Sequence, residues 1–404
     1  MSHDRIEAVL AHVSTDETLE LARELVRIPS VSGREGRAIS DRMLAWLGEA
    51  GLECGQQEIE PERVNVWARV DGSAGTRLLL NGHLDTKPVD NMTVEPFSAA
   101  VRDGRLYGRG ACDMKSAVAA AMVATRAVGR AGIPLRGSLI FGSEVGEEGG
   151  GWRLSDLVDG PCRCDAIVCC EPTELELHLG SRGGFPIVVA TGGLATHTGM
   201  AYRGVNAIEK MAGVITAMYA LPQFQRVDPI WGRSPINAME IRGGGKVSAS
   251  VPDECETVFD IRLNPDLPPE ELQAALEALF ARLRADDPRL EVSWRFRGFA
   301  TAPDQPPVGG RAAAVIEPDH TLVRAALDAA EIATGQRPRL GGFPGGCSQG
   351  VLHRRDGTPG VVIGPGSLEQ AHGADEWIEV EQIGRAARVY AALAAIALDP
   401  ERAG

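Results

Sequence analysis

Five side chains of metal-ligand type, His83, Asp113, Glu148, Glu171 and His372, lie in five separate loops, each after a stretch with strand character. Cations used in catalysis are commonly held from the ends of several strands of one sheet. A structural zinc instead takes its ligands from one helix or one Cys-rich loop. The scatter therefore points to a catalytic centre assembled by the fold. The surrounding residues are Asn81-Gly82-His83-Leu84-Asp85, Gly108-Arg109-Gly110-Ala111-Cys112-Asp113-Met114-Lys115, Gly146-Glu147-Glu148, Glu171-Pro172-Thr173 and Ala371-His372-Gly373-Ala374-Asp375-Glu376.

Each element has a functional and a plainer reading. His83 and Asp85 are two apart at a strand end and face one side, so the carboxylate is placed to orient the imidazole through its other nitrogen. A hydrogen-bonded histidine in a strand-end turn would look the same. Asp113 is either a helix cap or a carboxylate that offers one oxygen to each of two cations. In the pair Glu147-Glu148, one carboxylate can bind metal while the other moves a proton, although acidic pairs are common on surfaces. Glu171 follows the apolar run Ala166-Ile167-Val168-Cys169-Cys170, where an ionised carboxylate needs a cation. Cys162-x-Cys164 with Cys169-Cys170 raises a structural zinc as a rival. Adjacent strand side chains face opposite ways, so thiols are the expectation there.

The elements that must position these residues follow from periodicity. Helices are expected over 16–27 and 34–50, capped by Thr15 and Ser32. Strands follow over 64–70 and 77–81, then an Ala-rich helix over 116–128 and short buried strands over 137–142 and 166–170. Helices alternating with continuous apolar strands predict an α/β sheet covered on both faces. The pattern changes after residue 184. Alternating strands over 185–191, 237–242, 255–263 and 291–296, with helices over 206–220 and 269–284, describe an inserted α+β module at about 184–298. The α/β pattern resumes over 321–333, 360–363 and 380–397. Gly/Pro-rich linkers at 181–184 and 298–307 read as hinges.

A chain of 404 residues exceeds a single core, which predicts two domains. Its net charge of −14 argues against nucleic acid or an anionic membrane as partner. No run approaches the ~18 apolar residues of a membrane span. The first eleven residues are charged and lack a secretory core, so the expectation is a cytoplasmic protein with its eight cysteines reduced.

Together and in this order, the Gly-His-x-Asp, Gly-Arg-Gly-x-x-Asp-Met-Lys, Gly-Glu-Glu and Glu-Pro-Thr elements resemble the zinc-amidase family of acetylornithine deacetylase, succinyl-diaminopimelate desuccinylase, aminoacylase and glutamate carboxypeptidase. The resemblance covers nearly the whole chain. It implies a zinc-exopeptidase-like α/β/α catalytic domain, 1–183 and 299–404, with an inserted α+β dimerisation (lid) domain, 184–298. It implies two divalent ions, zinc first and cobalt or manganese as alternatives. His83, Asp113 and Glu171 would hold one, and Glu148, Asp113 and His372 the other. Glu147 would be the general base and Asp85 the orienter of His83, and the peptide after Asp113 would be cis.

Further expectations rest on the same resemblance. His197, in Gly193-Leu194-Ala195-Thr196-His197-Thr198-Gly199, would donate to the tetrahedral oxyanion in the partner subunit's site, which implies a homodimer. Arg262 would grip the substrate carboxylate, and Gly346, Cys347 and Ser348 would contact substrate. Two positions depart from the family pattern: Ala249 stands where an Asn is usual, and neither Ser348 nor Gln349 is acidic. Lys87 reads as a solvated rim charge; His178, His320 and His353 lie outside these motifs, and His353 reads as a surface or structural residue, with an approach to the pocket through the Cys347 loop as the alternative. The expected substrate is an N-acyl amino acid, with a dipeptide or peptide C-terminus as the alternative. A silent binding protein is disfavoured because Glu147 and every ligand are present. A single-metal protein is disfavoured by Asp113.

Overall fold

Leu78-Leu79-Leu80 and Ala166–Cys169 are apolar on both faces, which suits the middle of a parallel sheet and little else. In the computed structural model, which describes residues 3–151, 153–245, 247–297 and 310–401, they occupy that place. Among the described residues a nine-stranded sheet runs, in spatial order, Glu53–Glu60, Arg63–Asp71, Arg136–Glu144, Ser73–His83, Ala166–Cys169, Gly360–Val362, Leu177–Ser181 and Ala314–Val315. Leu340–Phe343, the ninth strand, pairs with Leu177–Ser181. The four strands from Arg136–Glu144 to Gly360–Val362 are mutually parallel.

Helices cover both faces. On one, Ser116–Ala131, Thr321–Thr334 and Val380–Ala397 pack together, with Thr15–Arg27 against them. The strand Ser73–His83 approaches the first of these closely: a Cβ on Gly82 would stand 2.9 Å from a methyl of Val118. On the other face, Leu154, Leu157, Val158 and Leu352 pack on Leu79, Ile140 and Ile167. The closing helix Val380–Ala397 is Ala-rich because it is buried on most of its circumference between other helices.

The chain divides into two compact units, Met1–Ser181 with Val315–Phe343 and Cys347–Gly404, and Arg182–Ala314 with Pro344–Gly346. The second unit has an antiparallel sheet in the order Ile236–Gly244, Glu254–Leu263, Ile187–Gly192, Glu291–Phe296. Burial alternates along Glu254–Leu263, as a half-buried strand requires. Phe185, Ile187, Val189, Phe259 and Ile261 meet Met211 and Val214 of helix Ala207–Tyr219, and Leu272, Leu276 and Phe280 of Pro269–Asp286. The second helix opens with Pro269 at its first position and Glu270 and Glu271 in its first turn, both favourable there. The expected linker at 298–307 lies outside the described residues.

Two caps differ from expectation. Ser14, not Thr15, caps Thr15–Arg27, its hydroxyl accepting from the Glu17 amide at 3.3 Å. The next helix begins at Arg37 rather than near 34, with Gly36 in place of the expected Ser32 cap. Glu35 accounts for the delay. Its buried carboxylate receives Arg63 Nε at 2.7 Å and Nη2 at 2.9 Å, which holds this stretch out of the helix. The strand Glu53–Glu60 is largely polar and carries no period-two apolar signal. Pairing with Arg63–Asp71 makes it a strand.

Candidate metal centre

Parallel strands present all their C-terminal ends at one edge, and loops leaving that edge converge. His83 ends Ser73–His83 and pairs with Glu144, the last residue of Arg136–Glu144, whose loop carries Glu147 and Glu148. Asn81 and Val362 both pair with Cys169, two residues before Glu171. The chain leaving Gly360–Val362 carries His372. Asp113 arrives on the turn before Ser116–Ala131, and its peptide bond to Met114 is cis.

The five expected ligands come together. His83 Nε2 lies 3.1 Å from Asp113 Oδ1 and 3.9 Å from Glu171 Oε1. His372 Nε2 lies 3.2 Å from Asp113 Oδ2 and 3.0 Å from Glu148 Oε1. Asp113 thus turns one carboxylate oxygen towards each imidazole, and the ligands sort into two sets that share it. Glu147 also reaches in: it offers an oxygen within 4.8 Å of ligand atoms on His83 and Glu171.

His83 Nδ1 is 2.9 Å from the carbonyl of Asp85. A carbonyl only accepts, so this contact puts the ring hydrogen on Nδ1 and the lone pair on Nε2. Two acceptors, Nε2 and Asp113 Oδ1, then face each other and call for a proton or a cation between them. The acidity of the cluster tells the same story. Burial pushes Glu171 well above the ordinary carboxylate range, and Asp113 adds to this. Burial likewise raises Glu147, with Glu148 adding to it. Contacts with Asp113 and Glu148 raise the His372 imidazole to about 9. Carboxyls pushed up by burial, beside imidazoles pushed up by neighbouring carboxylates, form a group short of positive charge. Divalent cations would supply it, so the donor set fits the group.

Several expectations need correction or placement. Asp85 orients His83 through its main-chain carbonyl, while its carboxylate is 3.8 Å away. That carboxylate instead receives the amides of Glu147 and Glu148 at 3.1 and 3.0 Å. Lys87 is no free rim charge: its Nζ donates to the Glu148 carbonyl at 2.6 Å and pairs with Oε2 at 2.8 Å. Its place four residues after His83 was the available signal. Cys347 and Ser348 do not line a substrate surface with their side chains. Cys347 is buried beside Cys169, and Ser348 donates to Glu144 at 2.5 Å. The reason is that they lead the helix Ser348–Asp356, whose N-terminal end is buried. Gly346 falls in the second unit and has no side chain to offer.

In that second unit, His197 is exposed and its Nδ1 accepts from the Gly199 amide at 3.1 Å. A neutral ring so held carries its hydrogen on Nε2. Arg262 is about one-third exposed and pairs with Asp260 at 3.0 Å. His320 caps Thr321–Thr334 by accepting from Leu322 N, and His178 packs beside Phe343. His353 is in the last turn of Ser348–Asp356.

Buried carboxylates and imidazoles gathered at the ends of parallel strands make the kind of centre that metal-dependent hydrolases use. The chain belongs to the peptidase family M20/M25/M40, whose model matches residues 79–396. It is 31% identical over 402 residues to a succinyl-diaminopimelate desuccinylase of Methylocella silvestris, covering 95% of this chain and 97% of the relative. It is 25% identical to the N-formyl-4-amino-5-aminomethyl-2-methylpyrimidine deformylase of Bacillus subtilis, with 91% of each chain covered. Among solved structures, an aminopeptidase PepT from Bacillus cereus superposes with a TM-score of 0.74 at 20% identity, covering 96% of this chain and all of that one. The protein is a metal-dependent hydrolase of amide bonds.

Proposed function

We propose that the chain cleaves the amide bond of an N-acyl amino acid with two divalent cations, zinc in the first instance. His83, Asp113 and Glu171 would hold one, and His372, Asp113 and Glu148 the other. The observation that carries this reading is the pair of Asp113 oxygens, each facing a different imidazole. Bound there, the cations would acidify water to near neutrality and polarise the scissile carbonyl. Glu147 takes the proton of the attacking water and returns it to the departing amine, a role suited to a carboxyl raised by burial. Asp85 fixes the Glu147-Glu148 turn through two amide bonds. His197 donates from Nε2 to the oxygen that gains charge in the tetrahedral state. Arg262 exchanges Asp260 for the substrate carboxylate.

The proposal extends to a homodimer. In the second unit, among the described residues, no further strand pairs with the outer strand Ile236–Gly244, where Met239 and Ile241 are 52% and 57% exposed. On the same unit's helix Ala207–Tyr219, Ile208 and Tyr219 are exposed as well. An apolar free edge is unusual unless something covers it, and a second copy matches it edge to edge. No helix of the described residues is long and apolar enough to cross a membrane. The free thiols of Cys112, Cys162, Cys169, Cys170 and Cys347 suit the reducing cytoplasm.

Amine release from N-acetyl, N-succinyl and N-formyl amino acids and from dipeptides, with added zinc and with chelator, tests the reading. Chelator-sensitive cleavage of acyl amino acids supports it. Cleavage confined to dipeptides moves the protein to the peptidases. Full activity with one cation per chain removes the shared role of Asp113.

A further inference from the structure

Beneath the centre lies an ion pair whose members, Arg109 and Glu376, are each 1% exposed. Nothing in the chemistry above uses it. Glu376 Oε1 accepts the amides of Cys112 at 2.9 Å and Asp113 at 3.0 Å, and Oε2 takes Arg109 Nη1 at 2.8 Å. The rest of the guanidinium is spread over two more loops. Nε donates to the Pro88 carbonyl at 3.1 Å, and Nη2 to Asn91 Oδ1 at 3.0 Å. Asn91 in turn donates through Nδ2 to the His372 carbonyl at 3.3 Å. A three-stranded sheet, in which Trp377–Glu379 pairs with Arg105–Tyr107, brings the two partners alongside each other, and the ion pair extends that ladder towards the metal centre.

The contacts are unevenly distributed over the ligands. His83 and Glu171 are set by the ends of strands in the large sheet. His372 stands in a loop, with a positive φ of 61° and its side chain 47% exposed. Its tie to Asp113 runs through Glu376, four residues on, and through Asn91. We infer that Arg109 and Glu376 are positioning residues that fix the distance between Asp113 and His372, and so set the affinity of the cation that those two share with Glu148. This rests on the two-cation reading above. Removing an outer partner of a metal ligand typically weakens binding roughly 10–100-fold. The loss should fall on the second cation and leave the first nearly untouched.

Glu376→Gln keeps an oxygen for the two amides but turns an N–H2 group towards Arg109. Arg109→Lys keeps the charge but lacks the fork that reaches Pro88, Asn91 and Glu376 together. The experiment is a cobalt(II) titration of the metal-free full-length chain, followed by visible absorption, with turnover measured at each point and melting of the metal-free protein as control. For both variants the second equivalent should bind about 10–100-fold more weakly, the first within about threefold of the parent. Excess cobalt should restore turnover with KM unchanged. Asn91→Ala, at an exposed position, should show the same selective loss in smaller measure and serves if the buried variants do not fold. Two equivalents bound as tightly as in the parent, or both weakened alike, would overturn the inference and leave the two-cation reading standing. A parent chain that takes up no cobalt would sink both.

Discussion

The Asp85 carbonyl accepts from His83 Nδ1 while its carboxylate accepts from the Glu147 and Glu148 amides, so one residue sets both a proposed ligand and the proposed general base. Glu147 itself is open to a clean test. Glu147→Gln keeps the shape and removes the proton acceptor, so kcat should fall about 10²–10⁴-fold while metal content, read by elemental analysis, stays at the parent value. Retained turnover would take the proton transfer away from Glu147. Glu144, one strand-end away, makes a pH prediction. Burial raises its carboxyl from 4.5 to about 7, even though Ser348 and Asn81 donate to it. Between these values the folded chain holds a proton that the unfolded chain has released. Its stabilisation is therefore complete below pH 4.5 and is lost as pH rises through 7. In metal-free protein Glu144→Gln should match the parent near pH 4.5 and exceed it by up to about 3 kcal/mol at pH 8. Urea midpoints at the two pH values measure this; equal midpoints at pH 8 would rule it out.

At the scale of elements, the loop that faces His197 has a cost built in. Ala249 has φ 58°, a left-handed conformation that costs a Cβ-bearing residue about 1–2 kcal/mol and that Asn or Gly tolerates. Its carbonyl anchors Thr198 through both the amide, at 3.0 Å, and the hydroxyl, at 2.6 Å, which keeps the loop as it is. Ala249→Gly should therefore stabilise the chain by about 0.4–1 kcal/mol, seen as a higher melting temperature with activity kept. A lower one would mean the methyl packs usefully. Ala249 also shows what sequence conveys and what it hides. The departure at Ala249 is visible in the chain, but its physical meaning lies in a backbone angle. Elements with strong periodicity or start signals, such as Glu291–Phe296 and Val380–Ala397, fall where expected. Glu53–Glu60 has no such signal because its neighbour makes it a strand. The candidate metal ligands are legible because their chemistry is local to short motifs. The inward turn of Cys347 and Ser348, and the reach of Lys87 to Glu148, depend on packing that no local pattern encodes.

At the scale of the molecule, the edge of Ile236–Gly244, unpaired by another strand among the described residues, makes the proposed homodimer testable. Charges on an edge strand oppose edge-to-edge pairing, so Met239→Lys with Ile241→Lys should shift sedimentation from dimer to monomer. If His197 serves the partner's site, turnover should fall with it; a variant that stays dimeric would remove this strand from the interface. The order of strands in the large sheet has a consequence of another kind. Gly360–Val362, three buried residues, completes the flank of Ala166–Cys169, and Tyr390 of the closing helix donates to Ile363 O at 3.0 Å. A ribosome delivers the chain N-terminus first. Ile167 and Val168 therefore leave the exit tunnel with one edge bare and stay so through the synthesis of the whole inserted unit. The stretch that finally covers them leads directly into His372. A prematurely terminated product therefore lacks the finished sheet and a candidate metal ligand together, so an incomplete chain is expected to expose a sticky edge without a working centre.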